Sequence, residues 1–248
     1  MKNRDALCPQ IRVSTGIDNV DRMLRGGFES GLFNLIYGGA NAHITSLLLS
    51  ISVLSQLPRS NKGAGSKVVF VDAQNSFNPY AVSCMAASVG LDPEEVLKGI
   101  FVSRAFTSGQ VEELILRKTE AEIDRLGAQV LIVSGLTTLH LMDGLGEPSQ
   151  ETFAKLVEIY GQLRRLGFQK NLVVVASSRL AENSEYKPAG GRALAHYAQI
   201  LLLVRKRLKF VEYVLMKHPS IPERRTLIWK GRRKIYTPTL DTYFLNMS

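Results

Sequence analysis

The sequence predicts a doubly wound α/β domain: a mainly parallel sheet covered on both faces, with antiparallel strands added at its C-terminal end. Three observations carry this. Apolar runs such as Phe33–Tyr37 and Lys67–Asp72 are continuous rather than alternating, which suits strands buried on both sides. Strand and helix patterns alternate five times, the mark of parallel βαβ units. From residue 199 onward the pattern turns to strands alone.

Taken in order, residues 1–11 form a short N-terminal segment without a strong pattern. Val13–Leu24 predicts a helix that Ser14 or Thr15 can cap, with Ile17, Val20, Met23 and Leu24 on one face. Arg25–Gly31 is a turn, Phe33–Tyr37 the first buried strand, and Thr45–Leu57 a helix apolar nearly all round. After the polar loop Pro58–Lys67 comes the second strand, Lys67–Asp72. Asn78–Val89 opens on a cap followed by proline, the usual order at a helix start. Gly99–Ser103 is the third strand, and Ser108–Leu126 a helix with Val111, Leu114, Ile115 and Ile123 inward. Gly127–Val133 is the fourth strand and Gly144–Ser149 a loop. Glu151–Leu166 is amphipathic, with Phe153, Leu156, Val157, Tyr160 and Leu163 on one stripe. Asn171–Ala176 is the fifth strand and Ser184–Gly191 a polar loop. Gln199–Arg205, Phe210–Lys217 and Thr226–Trp229 read as antiparallel strands closing the sheet.

The 248 residues suit one domain, 1–248, with 201–248 as a strand extension. Apolar content of 45% and charged content of 21% are ordinary for a globular chain. The start Met-Lys-Asn-Arg-Asp has no apolar core, so no secretory signal is expected. Residues 31–57 carry no Asp, Glu, Lys or Arg, but Gly38–His43 breaks the run, which excludes a membrane span. Cys8 and Cys84 have no metal-ligand spacing, and the expectation is a reduced, cytoplasmic protein. Charge is uneven. Residues 201–248 hold eleven Lys/Arg against three acids, a net of +8, whereas the first 200 residues carry a net of +1. That field points to a polyanion partner, with a solvated basic edge as the plainer alternative.

The stretch Gly31–Leu49 reads as strand, glycine turn and helix, the setting of a phosphate-binding loop. Its chemistry is incomplete. The pattern G-x-x-x-x-G-K-[ST] laid on Gly38 places His43 at the second glycine and Ile44 at the lysine; Gly38 and Thr45 fit, and Gly39 extends the turn. Ile44 offers no donor and no charge, and His43 is mostly neutral at pH 7. The four histidines have no ligand spacing among themselves, so no metal site is expected.

Five segments in order carry a family resemblance over about residues 12–230. Val13-Ser-Thr-Gly-Ile-Asp-Asn-Val-Asp-Arg-Met-Leu-Arg-Gly-Gly27 resembles the S-T-G…L-D…L-x-G-G segment of the RecA-like recombinases, especially the archaeal RadA group. Asp72-Ala-Gln-Asn-Ser-Phe-Asn-Pro79 is similar to D-T-E-x-x-F-x-P, and Arg104-Ala-Phe106 to A-R-A-Y. Pro188-Ala-Gly-Gly-Arg-Ala-Leu-Ala-His196 is similar to P-x-G-G-x-x-L-A-H, the most specific match. His218-Pro-Ser-Ile-Pro-Glu223 resembles S-P-x-L-P-E. The resemblance implies a RecA-like core of the P-loop NTPase type. The family's separate N-terminal helical domain and its Phe-x-x-Ala docking motif are not found in this sequence.

The resemblance also assigns roles. Ser134 matches the acid that supports Mg²⁺ through water, and Gln74 the glutamate that activates the attacking water. Asp72 and Thr45 remain. A glutamine can hold a water but cannot accept its proton. Positioning and electrostatics are nearly the whole of phosphoryl-transfer catalysis, so the expectation is a degenerate nucleotide site without ATP or Mg²⁺ as working cofactors. The two loops that line the family's DNA channel match His140–Gln150, which lacks Arg and Lys, and Arg179–Lys187, which offers Arg179 and Lys187. The DNA-binding candidates are therefore the C-terminal cations Arg205, Lys206, Arg207, Lys209, Lys230, Arg232, Arg233 and Lys234, with Arg179, Lys187 and Arg192 beside them. Tyr213, Trp229 and Tyr236 interleave with them and are candidates to stack on single-stranded bases, with sheet packing the plainer alternative and, for Trp229, the favoured one. His218, Pro219, Pro222 and Glu223 match the segment that covers a neighbour's nucleotide in recombinase filaments.

The function so implied is that of a non-catalytic RadA-like paralog, nucleoid-associated, modulating homologous recombination or DNA repair. Its partners would be DNA, single-stranded or bound without sequence preference, and a RadA-type recombinase, another paralog or a second copy. The alternative is an ATPase of the same superfamily whose atypical site a partner completes. A KaiC-like signalling module shares the core, but the Gly-Gly match and the single repeat argue against it.

Overall fold

The computed structural model describes residues 10–39, 42–142, 149–182 and 184–229. It opens with a two-stranded antiparallel ladder, β1 (Arg12–Val13) on β2 (Phe28–Glu29), flanking α1 (Asp18–Met23). The first helix is shorter than the sequence pattern predicts and is not capped by Ser14 or Thr15. The N-cap is Ile17, without a side-chain bond. Ser14 and Thr15 instead donate to Asp21, a buried carboxylate that also accepts from the Thr15 backbone N–H. Side-chain oxygens of this kind compete with capping by satisfying local donors and acceptors.

The main chain of elements continues with β3 (Phe33–Gly38), α2 (Ile44–Leu54), β4 (Val68–Asp72), α3 (Pro79–Ser88), α4 (Pro93–Lys98) and β5 (Ile100–Arg104). Then come α5 (Ser108–Glu113), a π-helical turn (Leu114–Lys118) and α6 (Thr119–Leu126), followed by β6 (Val130–Ser134), α7 (Thr138–Met142) and α8 (Gln150–Lys170). β7 (Val173–Arg179), α9 (Gly191–Tyr197), β8 (Ile200–Lys206), β9 (Phe210–Lys217) and β10 (Arg224–Trp229) complete it. The expected loop 144–149 falls mostly on residues 143–148, outside the described residues.

Eight strands make one sheet in the order β10-β9-β8-β3-β7-β6-β4-β5. β8 lies parallel to β3, with Leu35 opposite Leu201 and Tyr37 opposite Leu203, so it belongs to the parallel body; only its pairing with β9 is antiparallel. The three expected closing strands are antiparallel to one another, and β8 also joins them to the parallel body. Its continuous apolar run, Ile200 to Val204, is the pattern of a strand covered on both faces and agrees with the parallel pairing to β3.

Side chains alternate between two cores, as the strand period of two requires. Ile36, Phe70, Ile132 and Val175 pack with α1 to α4 through Val20, Leu48, Ile51, Val82 and Val96. Leu35, Val69, Leu131 and Val174 pack on the other face with Val111, Ile115, Ile123, Leu156, Tyr160, Leu163 and Leu194 of α5, the π-turn, α6, α8 and α9. Phe153 was expected on this stripe but is 42% exposed, and Ile159 takes an inward place. Lys217 donates to the carbonyls of Ala195, His196 and Ala198, closing the end of α9 against β9.

Asn78 caps α3 through the Ala81 N–H, with Pro79 at the first helical position, as predicted. The next turn repeats the device. Asp92 accepts from the N–H groups of Glu94 and Glu95, and Pro93 opens α4, a helix the sequence reading left out. Asp92→Ala is expected to lower stability by about 1 kcal/mol, the usual value of such a cap, read as a midpoint shift in urea.

Candidate functional site

The parallel strands β3, β4, β5, β6 and β7 end on one edge of the sheet. In doubly wound folds ligands sit in the crevice outside those carboxyl ends. A cleft of 580 Å³ lies there, lined from β3 and α2 by Gly38, Gly39, Ile44 and Thr45, and after β4 by residues 73–76. Ala105 and Phe106 follow β5, Thr138, Leu139 and Met142 come from α7, and residues 177–179 end β7. Arg179 is the one charged side chain among the described lining residues.

The described part of the turn into α2, Gly38–Gly39 and Ala42–His43, carries other side chains than a phosphate loop. His43 sits at the N-cap with φ 56°, in the left-handed region, and makes no side-chain cap. A glycine takes that conformation without strain, whereas a side chain costs about 1 kcal/mol or more. Ile44 is half-buried: it packs against the core and also faces the cleft. Thr45 lines the same wall. The helix N-terminus still presents its positive end to the cleft.

The floor is a hydrogen-bonded network. Asp72, at the end of β4, is fully buried. Its Oδ2 accepts from the N–H groups of Ser76 and Phe77, both at 2.8 Å, and its Oδ1 from Ser76 Oγ at 3.2 Å and Gln74 N–H at 3.3 Å. Ser76 Oγ meets Ser134 Oγ at 3.0 Å, and Ser134 Oγ donates to Gln74 Oε1 at 3.3 Å. Gln74 Nε2 reaches Thr138 Oγ1 at 3.3 Å. The structure thus brings Asp72, Gln74 and Ser134 together. The two members beyond the strand that holds Asp72, Gln74 and Ser134, are neutral, and the carboxylate is turned into its own loop.

Sequence reasoning missed Ser76, Thr138, Ser177 and Ser178 as members of this edge. Ser177 accepts from the Gly135 N–H at 2.9 Å, and Ser178 Oγ donates to the Ala189 carbonyl at 2.7 Å. The signal for these two was present: Ser177-Ser178 ends an apolar run that starts at Leu172.

The two channel-loop candidates look different in three dimensions. His140 belongs to α7 and is buried, with Nε2 3.3 Å from Glu112 Oε1, so the first loop begins after Met142. The second is a compact hairpin. Leu180 bridges Pro188, Ala181 N–H donates to Lys187 O, and Ala189 N–H donates to Arg179 O. Tyr37 OH donates to the Tyr186 carbonyl at 2.8 Å, and burial pushes its pKa up to about 12, so the donor proton is retained at physiological pH. The Gly190-Gly191 turn follows. Gly190 has φ 123°, and a Cβ there would meet Tyr160 Oη at 2.7 Å and Thr137 Cγ2 at 2.8 Å. The most specific sequence motif is therefore a packing requirement between α8, α7 and α9.

Among the cationic candidates, Arg205 is committed internally. It pairs with Glu212 at 3.0 Å and lies over the Tyr186 ring at 5.1 Å, with 16% of its side chain exposed. Lys206, Arg207, Lys209, Arg179, Lys187 and Arg192 are exposed. Lys230, Arg232, Arg233, Lys234 and Tyr236 lie outside the described residues. Tyr213 is 7% exposed and faces the core, which removes it from the stacking candidates. Pro219, Pro222 and Glu223 are exposed, pinned by buried Ile221. His218 Nδ1 accepts from Ser220 N–H, and burial with Arg12 and Arg25 nearby lowers its pKa. This segment follows β9, whose end pairs with the start of β8, so it lies away from the cleft. Among the described residues no cluster of His, Cys, Asp and Glu could hold a metal ion, and no helix is long and apolar enough to cross a membrane.

Comparison with known proteins agrees with this frame. The sequence profile of the Rad51 family matches residues 8–231. A protein named meiotic recombination protein DMC1 homolog from Arabidopsis thaliana is 30% identical over 219 residues, covering 83% of this chain and 63% of that protein. Its Glycine max counterpart is 29% identical over 206 residues, covering 79% and 59%. DNA repair protein RAD51 homolog 1 of Arabidopsis thaliana is 28% identical over 225 residues, covering 86% and 65%. The chain thus spans about 59–65% of the length of these relatives. A match that runs unbroken from the β1–α1 segment through the cleft and the Gly-Gly turn to β10 places the chain in the Rad51 family of RecA-like recombinases.

Proposed function

We propose that this chain is a non-catalytic, RadA-like paralog within the Rad51 family. It acts in homologous recombination or DNA repair by binding DNA, an active recombinase, or both, at the chromosome and without ATP as a cofactor. The relatives' names supply the process, recombination and repair. The observation that carries the non-catalytic reading is the cleft floor, where Gln74 and Ser134 are neutral and Asp72 is bound to its own loop. Terminal phosphates need a cation and a Mg²⁺ site needs acidic support. Here Ile44 fills the lysine position, Ser134 and Gln74 are uncharged, and Asp72 spends its carboxylate on Ser76, Phe77 and Gln74. The described residues do not fit a nucleotide triphosphate with its metal.

Purified protein is expected to show no Mg²⁺-dependent ATP turnover, alone or with DNA, and to retain DNA on a filter at low salt. Its DNA affinity should fall steeply as salt rises, because contacts to phosphates release counterions. Absence of binding to DNA and to a RadA-type recombinase would sink the proposal; turnover would favour a partner-independent ATPase instead. A gain-of-function variant sharpens the test. His43→Gly with Ile44→Lys should raise ATP affinity about 10- to 100-fold by calorimetry, the worth of one or two charge-assisted bonds. Turnover should still need Ser134→Asp and Gln74→Glu.

A further inference from the structure

We infer that the exposed face of β10, braced by Phe210 of β9, is a stacking platform for single-stranded nucleic acid, with Trp229 as its principal contact. This rests on the DNA-binding reading above and assigns it a surface distinct from the cleft, reaching from the edge strand to Tyr186 of the second channel loop. The sheet's strand period places Arg225, Leu227 and Trp229 of β10 on one face, about 7 Å apart. Their partners across the ladder are Val214, Glu212 and Phe210. The opposite face of β10 packs inward through Ile228. Trp229 is 52% exposed and is held by the Phe210 ring at 5.4 Å, tilted by 57°. Leu227 is 39% exposed.

Two strands further in, on the same face, Arg205 pairs with Glu212 and supports Tyr186, itself 53% exposed. The platform therefore offers two aromatic rings, Trp229 and Tyr186, each fixed by a neighbour rather than loose. Fixed rings lose little entropy when a base stacks on them. The charge around the rings selects an anion. Arg207 and Lys209 in the β8–β9 turn are exposed, as is Arg225 on the face of Trp229, while Glu212 is buried and already paired. Aromatic faces flanked by cations bind single strands with little sequence preference, because every base has a π-face. A duplex keeps its base faces stacked inside and presents only base edges and phosphates.

The chain contains one tryptophan, so its emission reports this surface alone. The full chain is titrated with oligothymidylate and with a duplex of equal length, following Trp229 emission and, separately, the anisotropy of dye-labelled DNA. The single strand is expected to quench the emission along the same isotherm as the anisotropy, and the duplex to bind with little quenching. Trp229→Ala should weaken single-strand binding about 10- to 100-fold, in the range of one stacked base. Trp229→Phe should restore most of it, and duplex binding should hardly change. Binding seen by anisotropy with unaltered emission overturns the platform and leaves the DNA-binding proposal standing. Quenching that follows protein concentration without DNA overturns it in favour of self-association. Absence of any DNA binding fails both readings. The emission test uses the unaltered chain, so it holds whatever the stability of the variants.

Discussion

Asp72→Ala should cost about 3 kcal/mol or more and lower the melting temperature by roughly 6–12 °C. The residue is fully buried, and its carboxylate is the shared acceptor for the N–H groups of Gln74, Ser76 and Phe77 and for the Ser76 hydroxyl. Truncation leaves those part-buried donors without their shared acceptor, and a donor cut off from both acceptor and water costs its desolvation penalty rather than the net value of one bond. Asp72→Asn keeps the volume but not the pattern. Both oxygens accept from backbone N–H groups, so either orientation of the amide sets a donor against a donor. It should lose about 1–3 kcal/mol. In a working ATPase an acid here would be read through turnover; here the expected readout is a melting curve, with the cleft's affinity for ATP unaltered. A melting temperature unchanged in Asp72→Ala would show that the loop holds without its acceptor.

What the sequence showed and what it hid follow from how local each cause is. β3, β4, β6 and β7 were readable as continuous apolar runs because both faces are covered, and each lies entirely or almost entirely buried. The start of α3 was readable because Asn78-Pro79 acts within its own turn. Asp92-Pro93 carried the same sign and the short α4 was still passed over, since six residues hold too little periodicity to stand out. α7 and α9, of five and seven residues, owe their shape to contacts far along the chain, such as Gln74 on Thr138 and Lys217 on the end of α9.

The site divided in the same way. The identities of His43, Ile44, Gln74 and Ser134 could be compared with a motif, because spacing along the chain determines where a strand end and its following turn lie. Which way Asp72 points could not. Its partners are N–H groups of the next five residues, and only the folded turn shows that they consume both oxygens. Arg205 is the clearest case on the surface. Composition counted it in a basic field, yet Glu212 opposite it in the ladder and Tyr186 above it convert it into a brace for the second loop. Tyr213, read as a base-stacking candidate, is turned into the core by the register that leaves Trp229 outside.

The two glycines of the phosphate turn separate a structural from a ligand-driven origin, and Gly38→Ala should be the more damaging change by far. A Cβ at Gly38 would lie 2.2 Å from the Val204 carbonyl oxygen and 2.9 Å from Ala42 Cβ. The obstacle is the backbone of the adjacent parallel strand, which cannot rotate away as a side chain does. β3 and β8 would have to part at Gly38–Val204, where Gly38 also accepts a bond from the Leu180 N–H. Overpacking of this kind against backbone should cost about 3–5 kcal/mol. Gly39 has nothing within 4 Å of a built Cβ and is exposed, so Gly39→Ala should stay within about 0.5 kcal/mol of the parent. A loop kept for close approach to phosphate would need both glycines for binding; one kept for the fit of β3 against β8 needs only the first. Thermal melts of the two variants, beside calorimetry with ATP, distinguish these cases. A large loss at Gly38, tolerance at Gly39 and no ATP heat in either would mark the turn as architecture that outlasts the nucleotide. Equal stability of the two variants would refute the packing account.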